Sequence, residues 1–262
     1  MIVEINESQE GYVKSEMHNH ITTIEFFHPK GNSLTSVLLQ RLSQEIHYAA
    51  NNKDTHVIVI RSAGTGAFCS GASFDEMSAI KTEEEGVQFF SGFANVINAM
   101  RKCPQFIIAR VHGKCVGGGV GLAAAADYAI ALEGADIKLS ELSLGFGPFV
   151  IASALQRKLG LSAYTQLTID SQLWRNSDWA RRKGVYAELH PNLESLEESL
   201  DRLSNFLAST SKEATAELKN IFWKDAQNWD ELLLERARIS AKLLLKEDAQ
   251  NAISKFRKKV VF

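Results

Sequence analysis

Three consecutive glycines, Gly117 to Gly119, stand between an apolar strand-like run and a run of small residues in PQFIIARVHGKCVGGGVGLAAAADYAIA. No side chain can shield the backbone there, so the chain must open a helix with bare N–H groups, at the end where the helix dipole favours negative charge. A second glycine turn, AFCSGASFDEM around Gly71, follows another strand-like run and offers a second set of amides. Two such turns facing one point would hold an oxygen as it gains negative charge. About one strand beyond the glycines, SELSLGFGP brings a lone carboxylate, Glu141.

The rest of the chain sets the bounds. At 262 residues, 45% hydrophobic and 23% charged, it can bury a large core without disulfides or metals. A formal charge of -2, with Lys and Arg spread throughout, gives no basic field and argues against nucleic acid as a partner. Cys69, Cys103 and Cys115 are odd in number and lack CxxC spacing, so they read as reduced thiols packed as small hydrophobes. The start, MIVEINESQEGYVKSE, is polar and lacks the apolar stretch of a secretory signal. The longest apolar run, Cys115 to Leu132, is glycine-rich and broken by Asp127, which suits a core and not a membrane span. The expectation is a cytoplasmic protein without a membrane partner.

Strand and helix patterns alternate through the first two thirds. YVKSE and ITTIEFF flank a turn at Met17 to His20 and predict a hairpin, while HVIVIRSA, QFIIARVHG and DYAIAL read as buried strands. LTSVLLQRLSQEIHYAANN places Leu34, Leu38, Leu42 and Ile46 on one helical face, and EEEGVQFFSGFANVINAMRKC does the same for Val87, Phe90, Ala94, Ile97 and Met100. That alternation predicts an α/β fold over residues 1–191. From residue 192 the strands stop, and 192–262 reads as a helical subdomain used for assembly and for completing the site.

Competing readings of the motifs are weaker. Gly119 to Ala124 fits the dinucleotide pattern G-x-G-x-x-A, but that fingerprint needs its strand to end at the first glycine and an acidic residue at the tip of the next strand, which Glu141 overshoots. His18 and His20 share a strand face but have no acidic or cysteine partner, so a turn is the simpler reading and no metal is expected. His112 reads as structural, and Glu83 to Glu85 as compensation of a helix dipole. There is no G-x-S-x-G elbow for a serine hydrolase.

Four segments in order, HPKGNSLT, HVIVIRSAGTGAFCSGASFDEM, PQFIIARVHGKCVGGGVGLAAAADYAIA and SELSLGFGP, resemble the crotonase superfamily of enoyl-CoA hydratases and isomerases, and EDAQNAISKFRKK resembles that family's C-terminal helix. The resemblance implies a spiral of ββα units with a C-terminal helical trimerisation region, giving homotrimers or hexamers. It implies an acyl-CoA substrate, with coenzyme A part of that substrate and no separate cofactor. The backbone N–H groups of Ala72 and Gly118 would hold the thioester oxygen as an enolate forms, and Glu141 would act as acid/base in hydrating or shifting a double bond. Lys30 and Gly31, Gly71, Ser73 and Phe74, and Gly117, Gly121, Phe146 and Phe149 would contact substrate, with Arg257 of a neighbouring subunit as a further phosphate contact.

The sequence departs from the family pattern at informative places. The first of the two family glutamates would fall at Gly121, which leaves Glu141 as the single acid/base, as in family isomerases. Glycine there is expected to open room for a water, a bulkier acyl chain or a substrate carboxylate, as in hydratases of methylglutaconyl-CoA type. The usual P-G-x-G-G becomes Gly147-Pro148-Phe149-Val150-Ile151, predicting a bulkier, more apolar wall; Ser73 stands for Asp and Asp75 for Lys. Decarboxylation of an acyl-CoA, or CoA binding without chemistry, are the alternatives.

Overall fold

The computed structural model describes residues 10–260, with the side chains of residues 256–260 outside the description, so the Arg257 contact lies beyond the described residues. β1 (Tyr12–His18) and β2 (Ile21–Phe27) form the expected hairpin, closed by Asn19 and His20 at φ 49° and 67°. Positive φ at both central residues gives the turn whose twist matches paired strands. α1 (Ser36–Asn51) follows, with Thr35 accepting from the Leu38 N–H as its N-cap. Leu38, Leu42 and Ile46 are buried on its inner face, whereas Leu34 lies before the helix and bridges to Ala72. Next come β3 (Val57–Ser62), the short α2 (Phe74–Ala79) and α3 (Glu83–Lys102). Glu85 of the acidic run closes a capping box with Thr82.

β4 (Phe106–Val111), β5 (Cys115–Val116), α4 (Gly118–Ala125), β6 (Tyr128–Leu132) and β7 (Ile137–Lys138) carry the glycine cluster. The main sheet has the order β1-β2-β3-β4-β6-β8, with β8 at Glu188–His190; all pairings except β1 with β2 are parallel. Alternate residues of β3 serve two cores. Ile58 and Ile60 join the large core beneath α1 and α3, while Val57 and Val59 face Leu196 and Leu200 of α7 (Leu193–Ala208). A parallel sheet covered on both faces needs such apolar runs.

α5 (Ala152–Ile169) and α6 (Ser177–Arg182) precede β8, and helices follow it: α7, α8 (Lys212–Phe222), α9 (Trp229–Leu244) and α10 (Glu247–Val260). α9 lies along α3, and its Leu233, Ala237, Ala241 and Leu244 share the large core. α8 is fastened by Lys219, which donates to Asp127 Oδ2 at 2.7 Å, and by the Trp223 indole, which donates to Asp127 Oδ1 at 2.9 Å. Removing one partner of a buried pair of this kind typically costs about 3–5 kcal/mol. α10 rests on α2 and on the 3-10 turn Leu142–Leu144, where the Ala249 backbone packs against Gly145. The three cysteines are free and buried, and burial pushes the Cys69 thiol up to about 12. Among the described residues no helix is long and apolar enough to cross a membrane, and no cluster of three metal-ligating side chains occurs.

Candidate functional site

Two loops run side by side and bring the glycine turns together. Cys69 and Cys115 form a parallel bridge in which the Val116 N–H donates to Cys69 O at 2.9 Å. On its other side the Gly71 turn pairs with Leu34: the Leu34 N–H donates to Gly71 O at 2.7 Å, and the Ser73 N–H to Leu34 O at 3.0 Å. The Ala72 N–H lies between these two bonds and, by strand alternation, faces away from Leu34. Gly71 has φ 93°, and a Cβ there would sit 2.9 Å from Val116 O and 3.6 Å from the Gly118 nitrogen. Gly118 is the first residue of α4, so its N–H has no carbonyl one turn earlier to bond.

The pairing that shapes the glycine turn also delivers the carboxylate. β5 pairs with β7, and the Gly117 N–H donates to Lys138 O at 2.9 Å. The chain then runs through Ser140 to Glu141 at the start of the 3-10 turn. Gly117 has φ 50° and ψ -117°, and a Cβ on it would lie 2.6 Å from Glu141 Oε1. Only glycine meets both demands. Glu141 is partly buried as a residue, but its Oε2 is enclosed and has no hydrogen-bond partner among the described residues. Burial raises the carboxyl to about 7, against the pull of the Glu141 and Ser140 backbone N–H groups. A carboxyl at that value exchanges a proton readily near neutral pH.

These groups line one cleft, about 500 Å³ when the space open to solvent at its mouth is included. Gly71, Ala72, Phe74, Gly117, Gly118, Glu141, Phe146 and Phe149 all face it. Val150 and Ile151 join the wall as the Gly147–Ile151 segment predicts, and Phe90 and Phe93 of α3, Met77 of α2 and Ser240, none of them among the expected contacts, complete much of the rest. Phe90 sits on the helical face that periodicity identifies, and Phe93 follows one turn later. The signal for Phe93 was therefore present, whereas Ser240 carries none. Phe93 also explains the bare second glycine, since a Cβ on Gly118 would stand 2.3 Å from its ring.

Lys30, Gly31, Ser73 and Gly121 do not line the cleft. The Ser73 side chain caps α2 by accepting from the Glu76 N–H. Lys30 is exposed at the rim and ion-paired with Asp75, while the Ser70 N–H donates to Gly31 O at 3.0 Å and so ties HPKGN to the cleft mouth. An exposed pair of that kind is worth about 0–1 kcal/mol, so an incoming phosphate can compete for the ammonium. The room expected at Gly121 is not there. A Cβ on Gly121 would lie 2.3 Å from Ile151 Cγ2, because the isoleucine fills the volume that the glycine vacates. His112 lies outside the lining and has neither ring nitrogen hydrogen-bonded among the described residues; burial, and then Arg110, lower it to about 4. His20 stacks on His56 at 4.4 Å between ring centroids, as a turn residue.

The family model described as enoyl-CoA hydratase/isomerase matches residues 16–261. Methylglutaconyl-CoA hydratase, mitochondrial, of Mus musculus is 32% identical over 143 residues, 54% of this chain and 45% of that protein. Ethylmalonyl-CoA decarboxylase of Gallus gallus is 28% identical over 52% of this chain and 46% of its own length. The matched stretch thus spans about half the length of these curated relatives. An enoyl-CoA hydratase crystal structure from Bacillus halodurans superposes with a TM-score of 0.87 at 20% identity, covering 93% of this chain and 99% of that one.

Proposed function

The chain belongs to the enoyl-CoA hydratase/isomerase family, and from that premise we propose that it shifts the double bond of an acyl-CoA thioester, with Glu141 carrying the proton. The ionised carboxylate takes a proton from C2 of a 3-enoyl thioester, and the freed electron pair moves onto the thioester oxygen. The Ala72 and Gly118 N–H groups stabilise that oxygen, with the α4 dipole behind Gly118. The protonated carboxyl then returns its proton to C4 as the electrons move back, leaving the double bond between C2 and C3. One group performs both transfers, which suits a carboxyl whose affinity for a proton lies near 7.

The observation that carries this reading is that Glu141 is the one titratable side chain in the lining among the described residues, while Ile151 occupies the space beside Gly121. Adding water calls for a second acid/base beside the one that manages the proton, and the lining holds no titratable side chain other than Glu141 among the described residues. Decarboxylation is the second reading. It uses the same amides, needs no second carboxyl, and is the reaction named for the Gallus gallus relative.

The test is mass spectrometry and ultraviolet absorbance of 3-enoyl-, 2-enoyl- and 2-carboxyacyl-CoA after incubation with the protein. Conjugation of the 3-enoyl thioester without change of mass is expected, with kcat/KM rising through about pH 7 and falling by about 10²–10⁴ in Glu141→Gln. Faster gain of water by the 2-enoyl thioester, or faster loss of CO₂ from the carboxylated one, would overturn isomerisation in favour of that reaction.

A further inference from the structure

Five phenylalanines line the cleft, drawn from three separate stretches of chain: Phe74 at the start of α2, Phe90 and Phe93 on α3, and Phe146 and Phe149 in the wall that follows Glu141. Their rings meet edge to face. Phe90 and Phe146 stand 5.8 Å apart between centroids at 61°. Behind the lining, Phe89 joins Phe90 at 5.3 Å and 75° to Phe93 at 6.1 Å and 75°. In such contacts the positive edge of one ring points at the negative face of the next, and the series from Phe93 to Phe146 has its two ends in the cleft.

Glycines hold two of the rings in place. Phe93 packs on the bare Gly118, and a Cβ on Gly147 would likewise lie 2.8 Å from the Phe149 ring. What the lining lacks narrows the occupant further. Among the described residues it holds no Lys, Arg or His, and its hydroxyls are those of Ser70, Ser140 and Ser240, the last of which already donates to the Arg236 carbonyl at 3.1 Å. A charged end on the acyl group would lose its water with no cation to replace it. An alkyl chain would find apolar surface, but it would give up the freedom of its torsions and could not answer the edges and faces of the rings. A rigid aromatic group answers both and gives up little freedom.

We infer that the space between Phe90, Phe93, Phe146 and Phe149 receives an aromatic ring, so that the preferred thioesters are those of aryl-substituted acids. This deepens the acyl-CoA reading above and rests on it for the thioester, but not for the reaction. The test is calorimetric binding of three saturated CoA thioesters matched in carbon count, 3-phenylpropanoyl, 3-cyclohexylpropanoyl and nonanoyl. The wild-type protein is expected to bind the phenyl member roughly 5- to 100-fold more tightly than either of the others, the range for two ring contacts beyond their buried area. Phe146→Leu and Phe149→Leu should each shrink that preference and together erase it, while the affinity for the nonanoyl thioester stays within about 3-fold. Equal affinities in the wild-type protein, or a preference that survives the double variant, would overturn the inference. So would a cyclohexyl member that binds as tightly as the phenyl one, since volume alone would then be the selector. Absence of double-bond transfer with the ring preference intact would remove the proposed chemistry alone, and failure to bind any of the three would remove the acyl-CoA reading together with the inference built on it.

Discussion

The two sides of the cleft are built on different principles. On one side, Gly71 and Gly117 set the geometry with backbone alone, and a side chain there would meet main chain or the Glu141 carboxylate. On the other, the wall from Phe146 to Ile151 is built from side-chain volume, and Ile151 occupies the space that a side chain at Gly121 would need. Volume exchanged between two positions leaves packing intact while changing what the cavity can do. On the proposed function, the backbone side would fix the class of chemistry, an oxygen gaining charge, and the side-chain side would decide which member of that class is run.

The sharpest way to break that contrast is to reverse the exchange. Gly121→Glu alone should destabilise by more than about 4 kcal/mol, because it drives a carboxylate into Ile151 in a closed core. Adding Ile151→Gly should recover much of the loss, with a coupling of about 0.5–3 kcal/mol in a double-mutant cycle read by urea denaturation. The double variant is also expected to add water to a 2-enoyl thioester. Additive effects would mean that the two positions do not exchange volume.

Gly117→Ala tests the backbone side. Its φ and ψ should cost about 1–3 kcal/mol, and displacement of Glu141 and of the Gly118 N–H should lower kcat by about 10²–10³ with little change in KM. A stable, fully active variant would remove Gly117 from the machinery.

The smallest of these effects on function is a shift of stability with pH. Glu141 has its proton held to about 7 in the folded chain against 4.5 ordinarily. Below pH 4.5 the carboxyl is protonated in both states and contributes nothing. As pH rises from 4.5 to 7 the unfolded chain loses the proton first, so stability falls, and above 7 the deficit levels off at roughly 3 kcal/mol. Glu141→Gln should therefore match the wild-type protein at pH 4 and exceed it by up to that amount at pH 8. A constant difference across this range would mean that burial does not hold the proton.

Much of the backbone side was legible in the sequence. Glycines after strands announce amides whatever surrounds them, and the apolar periods of α1, α3 and the central strands follow from covering a sheet on both faces. Leu34 reads as helical from its spacing but stands just before the N-cap Thr35, because the pattern cannot tell a helical residue from one that bridges there. The contact between Gly121 and Ile151 was not legible. A missing side chain reads as space until the chain's return path is known, and that path depends on the whole β5–β7 pairing. Ser240 comes from a helix far along the chain, where no local pattern points at the cleft.

The Ala249 backbone packed against Gly145 has a consequence in time. The turn that begins with Glu141 is made long before Ala249 leaves the ribosome. At roughly 5–20 residues per second the lag is about 5–20 s, during which the sheet and both glycine turns can form without the segment that backs the carboxylate. A nascent chain caught early in that interval would hold both glycine turns and the Glu141 turn while α9, which completes the large core, and the segment behind Gly145 were still to come.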